Sequence, residues 1–365
     1  MNLLNALLRD PHVVRNWQAA EWNQLLPLAR SARLLGRCLS LFEQHDLIDA
    51  VPPRIVDQLR GALIKTRFLH VQALRELRHV VRVLDRAAIE SAALKGVAYL
   101  AADLPPRGWR SLSDIDLLVR EVDIARAETA LQRAGWVPNG EFDDYDQHYY
   151  REWMHEIPPL RHSKREIEVD LHHNLAPPVS RIVIDADRLW HAARTVSDDH
   201  GFAIKVLAPA DMLLHNALHL FMNDELRGGL RDVVDFRDLY EHFRAEDSVF
   251  DRTLVARAQA LGCERPLYYA VTTGQRLAGL QPSPTLRDAV AHAGPPAPIA
   301  ALMAWLIEHA LAPGRLGLRR TRVANGLLFI RSHWVRMPPR MLLRHLGHKL
   351  LLRRKPPAPE PDLPG

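Results

Sequence analysis

The stretch S-L-S-D-I-D-L-L-V, Ser111 to Val119, sets two aspartates, Asp114 and Asp116, into an otherwise apolar run. Its residue types predict a buried strand, on which positions i and i+2 point to one face. Asp is depleted in strands, and paired carboxylates repel unless a proton or a cation intervenes. Their oxygens suit Mg²⁺ or Mn²⁺, which bind through one or two carboxylates and complete their shell with water and substrate phosphate. The alternative is a strand end whose aspartates cap the next turn. We read the pair as metal ligands.

Around this run, residues 88–180 carry short apolar segments, A-A-L-K-G, I-D-L-L-V and E-I-E-V-D-L. They also hold an amphipathic helix expected over Val122–Ala134, closed by Gly135, and turn signals at Pro105-Pro106 and Asn139-Gly140. This is a small α/β unit. Before it, V-Q-A-L-R-E-L-R-H-V-V-R-V-L-D spaces apolar residues by about 3.6, and Pro52-Pro53 interrupts the pattern. After it, helical periodicity returns at P-A-D-M-L-L-H-N-A-L-H-L. The expected fold is therefore α+β. An N-terminal helical region (1–87) precedes a small mixed-sheet core (88–205), a C-terminal helical region (206–355) and a Pro-rich disordered tail (356–365).

A chain of 365 residues, 47% hydrophobic and 25% charged, is globular. Cys38 and Cys263 are too few for a disulfide framework or a zinc knuckle, which points to a reducing compartment. The N-terminus lacks a basic segment before its apolar run, and no stretch reaches the ~18 apolar residues of a membrane span. A cytoplasmic protein is expected. Eleven of the 48 Lys/Arg, and no Asp or Glu, fall between Arg319 and Lys355, so 37 basic residues face 43 acidic ones elsewhere. The body is acidic, and nucleic acid is not an expected partner. The basic segment Phe329–Lys355 includes M-L-L-R-H-L-G-H-K-L-L-L-R-R-K. Packing on the helical body is its expected role, and weak contact with an anionic membrane surface is the alternative.

Two further pieces join the aspartate pair. Leu94-Lys95-Gly96 ends a strand and opens a helix, where a glycine lets the backbone approach a phosphate. In E-I-E-V-D-L-H-H, Ile167, Val169 and Leu171 face one way, and Glu166, Glu168, Asp170 and His172 the other. A third carboxylate from this strand, Asp170 or Glu168, would complete the site.

Together these pieces resemble the polymerase-β-like nucleotidyltransferase superfamily, and within it a group of largely uncharacterised bacterial nucleotidyltransferases. The resemblance spans roughly residues 90–245 and extends to D-M-L-L-H-N-A-L-H and L-R-D-V-V-D-F-R-D-L. It implies that Asp114, Asp116 and Asp170 are metal ligands and catalytic. It also implies that Lys95 and Gly96 form the phosphate turn, that Arg107, Arg110 and Ser113 are further nucleotide-binding residues, and that His172 is the histidine following the third acid. Most of the superfamily carry Gly-Ser at the phosphate turn, whereas Val97 follows Gly96 here. A lysine supplies charge in place of that hydroxyl. The implied activity is transfer of a nucleoside monophosphate from an NTP, such as ATP, to an unidentified small-molecule, peptide or protein acceptor with two Mg²⁺ ions. The alternative is a catalytically weak nucleotidyltransferase fold serving as a binding or antitoxin-like partner module.

Three patterns stand outside that set. His215 and His219 share a helix face but lack the Glu of a zinc-protease motif, so helix-face packing or hydrogen bonding to neighbouring acids is expected. Asp232, Asp235 and Asp238 share another face, expected to be solvated and paired with Arg231 and Arg237. Trp153 and His155 either line the acceptor side or are ordinary strand residues.

Overall fold

Pro53 opens the longest helix among the described residues, where its missing N–H goes unneeded and its fixed φ is already helical. The computed structural model describes residues 2–140, 149–198, 201–222, 226, 228–314 and 318–336. The chain begins with α1 (Leu3–Arg9), α2 (Ala19–Ser31), α3 (Leu35–Gln44) and α4 (Pro53–Arg86). α4 buries Leu77, Val80, Val81 and Leu84 toward the body, the stripe that the 3.6-residue spacing displays.

The middle of the chain supplies β1 (Ser91–Ala93), α5 (Lys95–Ala101), β2 (Asp114–Val119), α6 (Ile124–Arg133) and β3 (Trp136–Pro138). β4 (Leu160–His162), β5 (Glu168–His172), α7 (Ala186–Ala192), β6 (Arg194–Ser197) and β7 (Ala203–Val206) follow. All seven strands form one mixed sheet in the order β3-β4-β5-β2-β1-β7-β6. β2 runs parallel to β5 and antiparallel to β1, and β1 runs parallel to β7. From Ile115 onward β2 is buried on both faces, which is why its apolar run is continuous instead of alternating.

Seven helices complete the described fold: α8 (Pro209–Met222), α9 (Leu230–Glu246), α10 (Phe250–Ala260), α11 (Glu264–Thr273), α12 (Pro284–Ala293), α13 (Ala297–Leu311) and α14 (Arg319–Arg336). α8 is apolar nearly all round and buried nearly all round, so it forms the axis on which α9, α10 and α11 pack. One hydrophobic core runs from Leu4 through the sheet to Leu328. Cys38 and Cys263 are free and buried, and burial pushes each thiol up to about 12. Among the described residues no single helix is long and apolar enough to cross a membrane. In α14, Arg331 Nη1 donates to the Phe221 carbonyl at 2.8 Å and its guanidinium lies over the Tyr269 ring. The rest of the basic segment, 337–355, and the tail, 356–365, lie outside the described residues.

One expectation is overturned here. Asp232, Asp235 and Asp238 do not form a solvated face but are buried. Asp238 pairs with Arg37 at 2.8 Å and accepts from Trp109 Nε1 at 3.0 Å, while Asp235 accepts from Arg110 Nε at 2.6 Å. Asp232 lies 3.5 Å from Arg231 and 3.7 Å from Arg110. Arg237 turns instead to the carbonyls of Leu8 and Ala278, at 2.9 Å each, and to Glu241. Three-residue spacing reads the same whether a helix face meets water or partners. Apart from Arg231, the neighbour of Asp232, these partners come from α3 and from the loop before β2, both far away in sequence.

Candidate active site

Parallel pairing of β2 with β5 sets Asp116 directly opposite Asp170, and Asp114 opposite Glu168. Because alternate strand residues share a face, three aspartates from two strands meet on one side of the sheet. Asp116 is buried at 4% exposure, whereas Asp114 is half-buried at the strand mouth, where Ser113 Oγ donates to its Oδ1 at 3.2 Å. The Glu168 carboxylate is taken by the Asn139 amide. The Oδ1 of Asp170 is buried and has no hydrogen-bond partner among the described residues. Asp170, and not Glu168, therefore leaves an oxygen free beside Asp116.

Lys95 and His172 meet this charge. Lys95 Nζ lies 2.6 Å from Asp116 Oδ1, and His172 Nε2 donates to the same oxygen from 2.9 Å. Lys95 has φ +47°, a left-handed conformation rare for a side chain of this size and the sort of strain that gathers at functional sites. Burial works to raise the Asp116 carboxyl, yet Lys95 and His172 outweigh it and hold Asp116 well below the usual carboxylate range. Burial likewise works to lower Lys95, and Asp116, Glu156 and Asp114 together hold its ammonium above its ordinary value. Asp170 behaves oppositely: burial, and then the Asp116 charge, push it up to about 7. Three carboxylates on one sheet face, one with an orphaned oxygen, are donors of the kind that Mg²⁺ or Mn²⁺ takes, but among the described residues only the trio His155, Glu156 and His172 has donor atoms all within 4.8 Å of one another.

The loop before β2 is fixed from both helical regions. His70 on α4 donates its Nε2–H to the Arg110 carbonyl at 2.7 Å, Trp109 is tied to Asp238, and Arg231 reaches the Ser111 carbonyl at 3.4 Å. These ties correct two expectations. Arg110 faces no open phosphate site, since its guanidinium is buried between Asp235, Asp232 and the Tyr99 ring. Gly96 is glycine because Arg110 lies against it: a Cβ there would collide with Arg110 Nη1 and with Leu112 Cδ2. Arg107 sits elsewhere, paired with the exposed Asp103 on a cleft whose wall includes none of the three acids.

Sequence reasoning missed Glu156 and left His155 undecided. An isolated antiparallel bridge sets Glu156 opposite His172, and the His155 carbonyl accepts from the His173 amide at 2.8 Å. Glu156 Oε2 stands 3.3 Å from His172 Nδ1, and the rings of His155 and His172 lie 5.3 Å apart. The only trace in the sequence is a His-Glu pair between the apolar Met154 and Ile157. Above the acids runs α8. Burial, then the Lys95 charge, hold His215 well below the usual imidazole range and push His219 to about 3, so both are neutral.

Two clefts border the loop before β2 and the start of α9, and neither wall includes any of the three acids. One, of about 300 Å³, is lined by Arg30, Arg33, Lys65, Ser111 and Ser113. The other, of about 610 Å³, is lined by Arg33, His219, Arg231 and Asp232, so Arg33 borders both. A larger cavity of about 790 Å³ between α1, α11 and α13 touches none of the site acids.

Compared with known proteins, the chain has no match among curated sequences. A family model described as uncharacterised nucleotidyltransferase matches residues 18–279. That span is wider than the 90–245 suggested by the motifs, and it takes in α3, α4 and the aspartates of α9 that hold the site loop. With the Asp114/Asp116/Asp170 geometry in place and most of its length matched, the chain belongs to this uncharacterised nucleotidyltransferase family.

Proposed function

We propose that the protein is a metal-dependent nucleotidyltransferase that moves a nucleoside monophosphate from an NTP to a hydroxyl, phosphate or amine acceptor. The observation that carries this reading is the register of β2 with β5, which brings Asp116 and Asp170 side by side with Asp114 on the same face. Divalent cations held by Asp114, Asp116 and Asp170 would screen the triphosphate and polarise the reacting phosphate.

The protein's own groups divide the remaining work. Lys95, released from Asp116 once that charge is neutralised, supplies a point charge to a phosphate oxygen. The cleft beside Ser113, with Arg30, Arg33 and Lys65, suits the triphosphate by sign and position. The cleft beyond Arg33 suits the acceptor. Asp170, whose Oδ1 has no partner among the described residues, could take the acceptor's proton there. Arg110, the expected phosphate ligand, serves as a positioning residue, because its clamp on Asp235 fixes the loop leading into Asp114.

Titration calorimetry of each NTP with Mg²⁺ tests this reading. Wild type should bind at least one NTP only when Mg²⁺ is present, and Asp114→Asn should lose that binding while remaining folded. Asp170→Ala should keep much of the affinity and lose transfer of α-labelled nucleotide. Equal Mg²⁺-NTP binding by wild type and Asp114→Asn would remove the assignment. One observation favours a second reading, a catalytically weak partner module: Lys95 already fills the cation-facing side of Asp116, and Val97 replaces the usual serine. That reading predicts NTP binding without turnover.

A further inference from the structure

We propose that His155, Glu156 and His172 form a second cation site, built for a nitrogen-preferring divalent ion of the Zn²⁺ class and separate from the all-carboxylate centre. One donor atom from each of the three residues lies within 4.8 Å of the others. The Nδ1 atoms of His155 and His172 are both buried and have no hydrogen-bond partner among the described residues. Buried ring nitrogens are costly to leave unpaired. Two imidazoles with one glutamate are a donor set that zinc uses when it keeps an open position, whereas Mg²⁺ prefers oxygen alone.

The dimensions fit. Zinc–ligand bonds of about 2.0–2.1 Å in a tetrahedron put neighbouring donors about 3.3–3.4 Å apart. His172 Nδ1 and Glu156 Oε2 already stand at 3.3 Å. The remaining edges lie within 4.8 Å, so a rotation of the His155 ring that moves its nitrogen by at most about 1.5 Å brings them toward that spacing. The backbone holds the set in place, because the bridge between Glu156 and His172 fixes two ligands on paired strands. His172 also has its second nitrogen oriented, with Nε2–H donated to Asp116 at 2.9 Å. A carboxylate behind a ligating imidazole fixes its tautomer and strengthens it as a ligand. Asp116 thus serves the oxygen site directly and the nitrogen site from behind.

The alternative occupant of the gap is a proton, which would make His172 and Glu156 a plain ion pair. Untagged, chelator-stripped full-length protein should be titrated with Zn²⁺ by calorimetry and with Co²⁺ by visible absorption, with no nucleotide present. The outcome is then independent of the nucleotidyl-transfer reading. Expected are one Zn²⁺ per chain and the intense visible bands of four- or five-coordinate Co²⁺. His155→Gln and Glu156→Gln, each checked for folding by circular dichroism, should weaken Zn²⁺ binding at least about tenfold. No Zn²⁺ binding, a weak octahedral Co²⁺ spectrum, or unchanged affinity in both variants would overturn the proposal. If neither variant folds, the wild-type Co²⁺ spectrum decides.

Discussion

Replacing Asp116 by Asn separates a buried counterion from a simple repulsive pair. Two adjacent carboxylates read from sequence alone suggest that removing either should leave the apo protein unharmed or more stable. The structure reverses this for Asp116, whose Oδ1 holds Lys95 at 2.6 Å and His172 at 2.9 Å at 5% side-chain exposure. Breaking a buried ion pair from one side costs about 3–5 kcal/mol. Three features reduce that figure: Lys95 keeps 18% of its side chain exposed, Glu156 and Asp114 still attract it, and Asn keeps an oxygen for His172. A loss of about 2–3 kcal/mol remains. At roughly 2 °C per kcal/mol for a chain this long, Asp116→Asn should unfold about 5 °C below wild type. Asp114→Asn, at the half-exposed mouth, should stay within about 0.5 kcal/mol of wild type. Thermal and urea unfolding in chelator would measure both. Adding Lys95→Met to Asp116→Asn should recover part of the loss, with a coupling of about 1–3 kcal/mol. An Asp116→Asn protein that melts at or above wild type, with no coupling to Lys95, would refute the counterion argument.

Two more outcomes follow from the same geometry. The Asp170 carboxyl is raised from its ordinary 3.8 to about 7 in the folded state, so its ionisation opposes folding fully above about pH 7, and this penalty disappears as pH falls toward 3.8. Asp170→Asn should therefore be more stable than wild type at pH 8, with the difference shrinking through pH 5 and nearly gone at about pH 4 in urea titrations, and a pH-independent difference would contradict the raised value. Gly96→Ala should cost about 1–3 kcal/mol, because the new methyl displaces the Arg110 guanidinium from Asp235; unchanged stability with weakened NTP binding would return Gly96 to the phosphate turn.

Three of the seven strands, β1, β2 and β5, were legible because each is short, strongly patterned and locally determined, whereas β3, β4, β6 and β7 were not read. The apolar run around Asp114 and Asp116 announced β2, and the alternation in E-V-D-L-H announced β5 and the face that Asp170 and His172 share. Helical stripes and the Pro52-Pro53 break likewise located α4. These signals have a period of a few residues, so they survive in one dimension. What a side chain meets across the fold has no such period. Arg110 resembled a phosphate ligand and the α9 aspartates resembled a wet face until tertiary contact joined Arg110 to Asp235. Gly96 suggested room for a phosphate, yet the space is filled by that same arginine. The strand register that brings Asp170 beside Asp116, the Lys95 ammonium against Asp116, and the bridge that presents Glu156 to His172 all depend on chain segments brought together from a distance. Local sequence fixes which residues line a strand face; only the packed structure decides whether a charge there meets water, a metal ion or its own counterion.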